Sequence, residues 1–221
     1  MRAVVFDLGG VLVDWDPRYL LRKVMPGREE EMETILADVL NHEWNLARDV
    51  GDSWPDAIAR LKAAHPRWAD IFATFDERWA ETLGGSHDDT VEILRELKTR
   101  GLPLYALSNW SAQKFPLAEE RFEWLDCFEG IVVSGRVGMV KPDAAIFRHL
   151  CETFGLVAAE TIFIDDHEPN VVAAREAGID AIHFQGADAL RRELQARGLL
   201  GHGGPGDRPP VGGPGGPLAM R

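Results

Sequence analysis

The chain has 221 residues, enough for one sizeable core or a core carrying an inserted lobe, and its 45% hydrophobic and 27% charged content is ordinary for a globular protein. A formal net charge of -12 at pH 7 argues against nucleic acid or anionic membrane as a main partner, because both need a basic surface. An anionic substrate would need a local positive site, such as a metal ion or a placed lysine.

The N-terminus carries one Arg and a short apolar run broken by Asp7, which makes a poor signal peptide. No stretch approaches the ~18 apolar residues of a membrane helix. Ala3 to Phe6 reads as a buried strand, delivering Asp7 and stopping at the Gly9-Gly10 pair. Residues 17–86 change character: Trp44, Trp54, Trp68 and Trp79 lie among many acids, and Ile35, Leu36, Val39 and Leu40 have helical spacing. This predicts a small helical lobe ending at a Gly84-Gly85 hinge, its tryptophans either filling the lobe core or, for one or two of them, lining a substrate pocket.

From Asp88 the pattern alternates between helix and strand. Asp89 to Glu92 reads as a capping box before an apolar face of Val91, Leu94 and Leu97. Lys98, Thr99 and Arg100 then precede a stop at Gly101. Leu102–Leu107 predicts a strand ending at Ser108-Asn109, and Gly130–Val133 another ending at Ser134-Gly135. Pro142 suits the first turn of a helix through Ile146, Phe147 and Leu150. Thr161–Ile164 predicts a fourth strand ending at Asp165-Asp166; a helix follows to Ala177, stopped by Gly178, and Ala181–Phe184 is a fifth strand. Residues 201–221 contain eight Gly and five Pro and cannot bury enough apolar surface to offset ordering entropy, which predicts disorder. Cys127 and Cys151 form no C-x-x-C and have no His at ligand spacing, so packing roles in a reducing cytoplasm are expected.

Alternating strands and helices predict an α/β fold, a doubly wound parallel Rossmann-like sheet covered on both faces. The expected division is a core of residues 1–16 and 87–200, a helical cap over 17–86, and the tail. Such sheets bind ligands at the carboxyl ends of their strands. Those ends supply Asp7, Ser108 with Asn109, the loop to Lys141, and Asp165-Asp166. A carboxylate can act as nucleophile and form an aspartyl-phosphate, while cations and preorganised donors counter the phosphoryl charge. Mg²⁺ favours one or two carboxylates plus water and substrate phosphate. Asp7 would attack, Asp166 would share the metal with it, and Lys141 and Ser108 would hold the phosphoryl oxygens. Asn109 and backbone N–H groups after the first strand would complete the cradle.

The stretches VVFDLGGVLVD, YALSNW, GMVKPDAAIF and IFIDDHEPNVVAAREAGI together resemble the haloacid dehalogenase superfamily, in its branch with an inserted helical cap and phosphatase-like members. The likeness covers about residues 1–190, with Asp166, Asn170 and Gly178 following the family's habit after the fourth strand. It implies a nucleophilic Asp7, a phosphate-binding Ser108, a charge-stabilising Lys141 and Mg²⁺ held by Asp7, Asp166 and the Gly9 backbone carbonyl. Asp165 would ligate or accept hydrogen bonds behind Asp166. The implied substrate is a small phosphorylated molecule, for instance a sugar phosphate.

Phosphatase members usually carry an aspartate two residues after the nucleophile as general acid and base, and here that residue is Gly9. Such help is worth about 10²–10⁴-fold in rate. Three readings follow: a phosphatase using water, Asp14, Asp16 or His167 instead, or acting on a leaving group that needs little protonation; a metal-independent 2-haloacid dehalogenase using Asp7; or a non-catalytic binder of a phosphorylated metabolite. The dehalogenase members usually have serine and asparagine where this chain has Asp165-Asp166, a pair that would repel a substrate carboxylate. His167 is expected at an exposed helix start, His183 in a packing or second-sphere contact, and Trp110 packed beside the site or at the substrate's edge.

Overall fold

The computed structural model describes residues 2–201, so the tail predicted to be disordered lies, from residue 202 on, outside the described residues. In chain order, β1 (Ala3–Phe6) and β2 (Val13–Trp15) are followed by α1 (Arg18–Val24), α2 (Glu29–Asp38), α3 (His42–Asp49), α4 (Trp54–Ala64) and α5 (Ala69–Glu77). Then come β3 (Leu83–Ser86), α6 (Asp88–Thr99), β4 (Leu104–Ser108), α7 (Phe115–Glu119), β5 (Gly130–Val133) and α8 (Ser134–Val137). The chain closes with α9 (Ala144–Phe154), β6 (Thr161–Asp165), α10 (Glu168–Glu176), β7 (Asp180–His183) and α11 (Ala187–Ala196).

Five strands form one parallel sheet in the order β5-β4-β1-β6-β7. The alternation of β1 explains its two-sided burial: Val4 and Phe6 pack into one apolar cluster, Ala3 and Val5 into another on the opposite face. The first cluster includes Leu94 and Leu97 of α6 and Leu190 and Leu194 of α11; the second includes Ile146, Phe147 and Leu150 of α9 and Val171 and Ala174 of α10. Strand order reverses at β1, so its carboxyl end faces a crevice between the loops of its two neighbours.

The region between β2 and β3 is helical, as its spacing predicted, but its boundary differs. Leu83–Ser86, read as a glycine turn, is β3, paired antiparallel with β2, and Gly84 admits Asp14 so closely that a Cβ there would lie 2.3 Å from Asp14 Oδ2. A four-residue strand needs only this local partner, and its glycines, suited to a close approach, read as a turn signal. The tryptophans Trp54, Trp68 and Trp79 are buried, and the apolar cluster they join is continuous with that of one sheet face. Cross-ties add to it: Trp54 N donates to Gln113 Oε1 at 2.6 Å, and Lys114 Nζ meets Asp76 Oδ1 at 2.7 Å.

Three local expectations are corrected. The capping box does not form; His87 precedes α6 without a side-chain cap, and Asp89 Oδ1 instead accepts from the adjacent Thr90 N. Pro142 lies before α9 rather than in its first turn, after a cis Lys141–Pro142 bond, and Asp143 is the cap, accepting from Ala145 N at 2.8 Å. The strand predicted over 102–107 runs from Leu104 to Ser108, because Pro103 has no N–H to pair. Cys127 and Cys151 are both free and half-buried. No helix among the described residues is long and apolar enough to cross a membrane.

Candidate active site

Asp7 follows β1 directly, its backbone N–H held by Ile164 O of β6 at 2.8 Å. Its Oδ1 accepts from Leu8 N at 2.7 Å and pairs with Lys141 Nζ at 2.9 Å, which fixes one oxygen; no described residue bonds Oδ2. Lys141, only 2% exposed, also donates to Asp165 Oδ2 at 2.6 Å. One buried ammonium therefore bridges the ends of β1 and β6, strands adjacent in the sheet.

Oxygens of Asp7, Asp165 and Asp166 lie within 4.8 Å of one another. Three carboxylates against one ammonium leave an excess of negative charge, and the acids respond. Burial pushes Asp7 up to about 7, with Asp165 and Asp166 adding to the rise and Lys141 opposing it. Burial and Asp165 also raise Asp166. Burial alone would lower Lys141, but Asp7 and Asp165 more than reverse this, so the side chain stays an ammonium.

The two neighbouring acids have different surroundings. Asp165 is fully buried and satisfied: Oδ1 accepts from His167 N at 2.8 Å and Asn170 Nδ2 at 3.0 Å, and Oδ2 from Lys141 and Asn170. Asp166 is exposed, and its carboxylate has no hydrogen bond to another described side chain. Its placement depends on Gly10, whose φ is +73° and where a Cβ would lie 2.2 Å from Asp166 Oδ2. His183 Nε2 stands 2.9 Å from the Asp166 carbonyl. The donor set fits a hard cation: oxygen ligands, one of them with open lone pairs.

Ser108, the last residue of β4, is 1% exposed, and its hydroxyl bonds no other described residue. Asn109 is used differently from the substrate contact expected. Its Nδ2 donates to Lys141 O and its Oδ1 accepts from Lys141 N, both at 2.9 Å, so the amide clamps the Lys141 loop. Trp110 is buried edge-on against Trp79 and Phe115, with its indole N–H unpartnered. Beside it Gly135 has no room for a side chain: a Cβ would lie 2.5 Å from Ala112 N.

Above these strand ends is a cavity of about 200 Å³, lined by Gly9, Asn109, Trp110, Trp54, Trp79 and Asp49 among others. It joins the sheet crevice to the helices between β2 and β3. Trp54, Trp68 and Trp79 are buried as the lobe-core reading expects, and Trp54 and Trp79 also border this cavity, whereas Trp68 donates to Glu31 Oε1 at 2.5 Å. Asp14 and Asp16 do not line it; Asp14 Oδ2 accepts from Tyr19 and Asp16 Oδ1 from Arg18 N. Two contributors escaped sequence reasoning. Asn170 stands in the sequence only as part of a pattern, while its two bonds to Asp165 arise from the folded turn between β6 and α10. Asp49 did leave a signal: an acid in the last turn of a helix opposes the helix dipole, so it needs another reason to be there.

The family model for haloacid dehalogenase-like hydrolases matches residues 1–178. Over 205 residues the chain is 32% identical to the sesquiterpene phosphatase astK of Aspergillus oryzae, covering 90% of this chain and 97% of that protein. It is 29% identical over 194 residues to a phosphoglycolate phosphatase of Chromobacterium violaceum, covering 82% and 84%. Among solved structures, a HAD family enzyme from Bacteroides thetaiotaomicron in complex with magnesium and inorganic phosphate aligns with a TM-score of 0.65 at 25% identity, over 82% of this chain and 93% of that one. An L-2-haloacid dehalogenase aligns at 0.63 and 25% identity, over 82% and 85%.

Proposed function

The chain belongs to the haloacid dehalogenase-like hydrolases, and from that premise we propose that it is a Mg²⁺-dependent phosphatase acting on a small phosphomonoester through an aspartyl-phosphate on Asp7. The observation that carries this reading is the set of three carboxylates within 4.8 Å facing a single ammonium. A 2-haloacid would bring a further carboxylate into that excess of negative charge, whereas a phosphate ester arriving with a divalent cation would balance it. Residues 17–86 would serve as the cap over a core of 1–16 and 87–200. The unpaired cysteines fit a reducing compartment such as the cytoplasm.

Asp7, Asp166 and the Gly9 carbonyl would hold the ion, which when bound would neutralise the phosphoryl oxygens and orient the ester. Asp7 attacks phosphorus with the carboxylate that Leu8 N and Lys141 hold in place. Lys141 keeps its own charge and gives countercharge to the transferring group. Ser108 donates its free hydroxyl to a phosphoryl oxygen. Asn109 fixes the Lys141 backbone, while Asn170 and the His167 N–H fix Asp165, which aims the ammonium. Around the leaving group, Trp54, Trp79 and Trp110 offer apolar faces, suited to an isoprenoid chain or the C–H face of a sugar.

The test is a panel of phosphomonoesters, including a sugar phosphate, phosphoglycolate and an isoprenoid monophosphate, assayed with Mg²⁺ and with chelator beside a 2-halo acid. Phosphate release that chelator abolishes is the expected result. Halide release insensitive to chelator would overturn the reading in favour of the dehalogenase.

A further inference from the structure

Position 9 leaves the reaction without a proton donor. Gly9 has no side chain, Asp14 and Asp16 are occupied outside the cavity, and His167 is exposed with its ring 6.4 Å from that of His42. One acid remains on the cavity wall. Asp49, the last residue of α3, lines the same space as Gly9 and Asn109, and its carboxyl makes no hydrogen bond or ion pair with any described residue.

We propose that Asp49 is the general acid and base of the reaction, supplied from the cap in place of the acid that position 9 lacks. This rests on the phosphatase reading above. The packing delivers Asp49 to the site: α3 lies against α8, and Gly51 approaches Gly135 closely enough that a Cβ on it would meet Gly135 O at 3.4 Å. From α8 the chain runs on through Gly138 to Lys141. The neighbouring cation does not neutralise Asp49, because Arg48 is committed to Asp52 Oδ2 at 3.1 Å and to the Trp44 ring. Burial raises the Asp49 carboxyl to about 7, against the opposing pull of Arg48 and Lys141. A group balanced there can give up a proton and recover it near neutral pH.

The protons balance as follows. As an Asp7 oxygen bonds to phosphorus, the bond from phosphorus to the ester oxygen breaks, and the departing alkoxide takes the Asp49 proton to leave as the alcohol. The Asp49 carboxylate then removes a proton from water. The water oxygen bonds to phosphorus, the Asp7 oxygen–phosphorus bond breaks, and inorganic phosphate leaves with Asp7 and protonated Asp49 restored.

The deciding experiment compares leaving groups in pre-steady-state reactions with Mg²⁺ and substrate in excess over enzyme. An alkoxide needs the proton and a nitrophenolate does not. Asp49→Asn is expected to slow alkyl phosphate cleavage by about 10²-fold or more while leaving the nitrophenolate burst at its wild-type rate, followed by slow steady-state turnover. Asp49→Glu should recover part of the alkyl rate. Gly9→Asp should also rescue Asp49→Asn, since nothing lies within 4 Å of a Cβ built at Gly9. Equal slowing of both esters would assign Asp49 a structural role and overturn the inference, as would no effect on either. The leaving-group signature in His42→Gln but not in Asp49→Asn would move the role to His42. If the wild-type protein cleaves neither ester, the phosphatase reading fails first, a result separate from all of these.

Discussion

Replacing Lys141 by Met keeps most of the side chain's volume and removes only its charge. The Lys141 side chain is 1% exposed and its Nζ lies 2.9 Å from Asp7 Oδ1 and 2.6 Å from Asp165 Oδ2, whose side chains are 11% and 0% exposed. Breaking a buried ion pair by deleting one partner costs about 3–5 kcal/mol, since the other charge stays buried. Here two carboxylates lose their partner, but Asp165 keeps Asn170 and His167 N, and Asp7 keeps Leu8 N. The lower end, about 3 kcal/mol, is therefore expected. The loss should depend on pH. Asp7 already stands at about 7 with Lys141 opposing the rise, so removing the ammonium raises it further and the variant keeps its proton where wild-type Asp7 ionises. Stability then falls as pH rises, and Lys141→Met should lose more near pH 8 than near pH 5. Urea unfolding followed by tryptophan fluorescence, in metal-free buffer at both pH values, measures this. A midpoint unchanged from wild type, or a loss that grows toward acid pH, would refute the buried-charge argument. Lys141→Arg should fail to restore the midpoint, because a planar fork does not replace a point charge between two fixed oxygens.

Gly10→Ala should be a poor enzyme but a tolerable fold. Its positive φ costs a side chain about 1–2 kcal/mol, while the new methyl displaces the Asp166 carboxylate and with it most of the turnover; unfolding and kcat measured on one sample separate the two. Mg²⁺ should raise the melting temperature of the wild-type protein and not that of Asp166→Asn; an equal rise in both would remove Asp166 from the metal site. Asp143→Ala removes the side-chain cap of α9 and should cost about 1 kcal/mol in urea unfolding, with no loss meaning that the bond to Ala145 N is not a cap in solution.

The sequence made the parallel sheet legible because its strands are buried on both faces and read as unbroken apolar runs, each ending on a polar residue. Topology then did the rest: four strand ends in one crevice collect Asp7, Ser108, Lys141 and the Asp165-Asp166 pair without any motif joining them. What stayed hidden depends on contacts between distant segments. Asn109 looked like a substrate ligand, but its amide pairs with the Lys141 backbone 32 residues away. Asp165 and Asp166 are chemically identical in sequence, and only Asn170 and the His167 N–H divide them into a satisfied acid and an open one. β3 was lost because its glycines permit a close approach and so look like a loop. Asp49 lies outside the strand-end pattern, because this acid comes from the end of a helix.

The central claim is that Asp7 carries the phosphoryl group, and one turnover reaction in heavy-oxygen water tests it. Acid quenching followed by mass spectrometry should find phosphate on the peptide holding Asp7, none on Asp7→Asn, and the solvent oxygen only in the released phosphate. Solvent oxygen built into the Asp7 carboxylate would mean water attacks an ester carbonyl, as in carbon–halogen displacement, and an active Asp7→Asn would contradict the account outright.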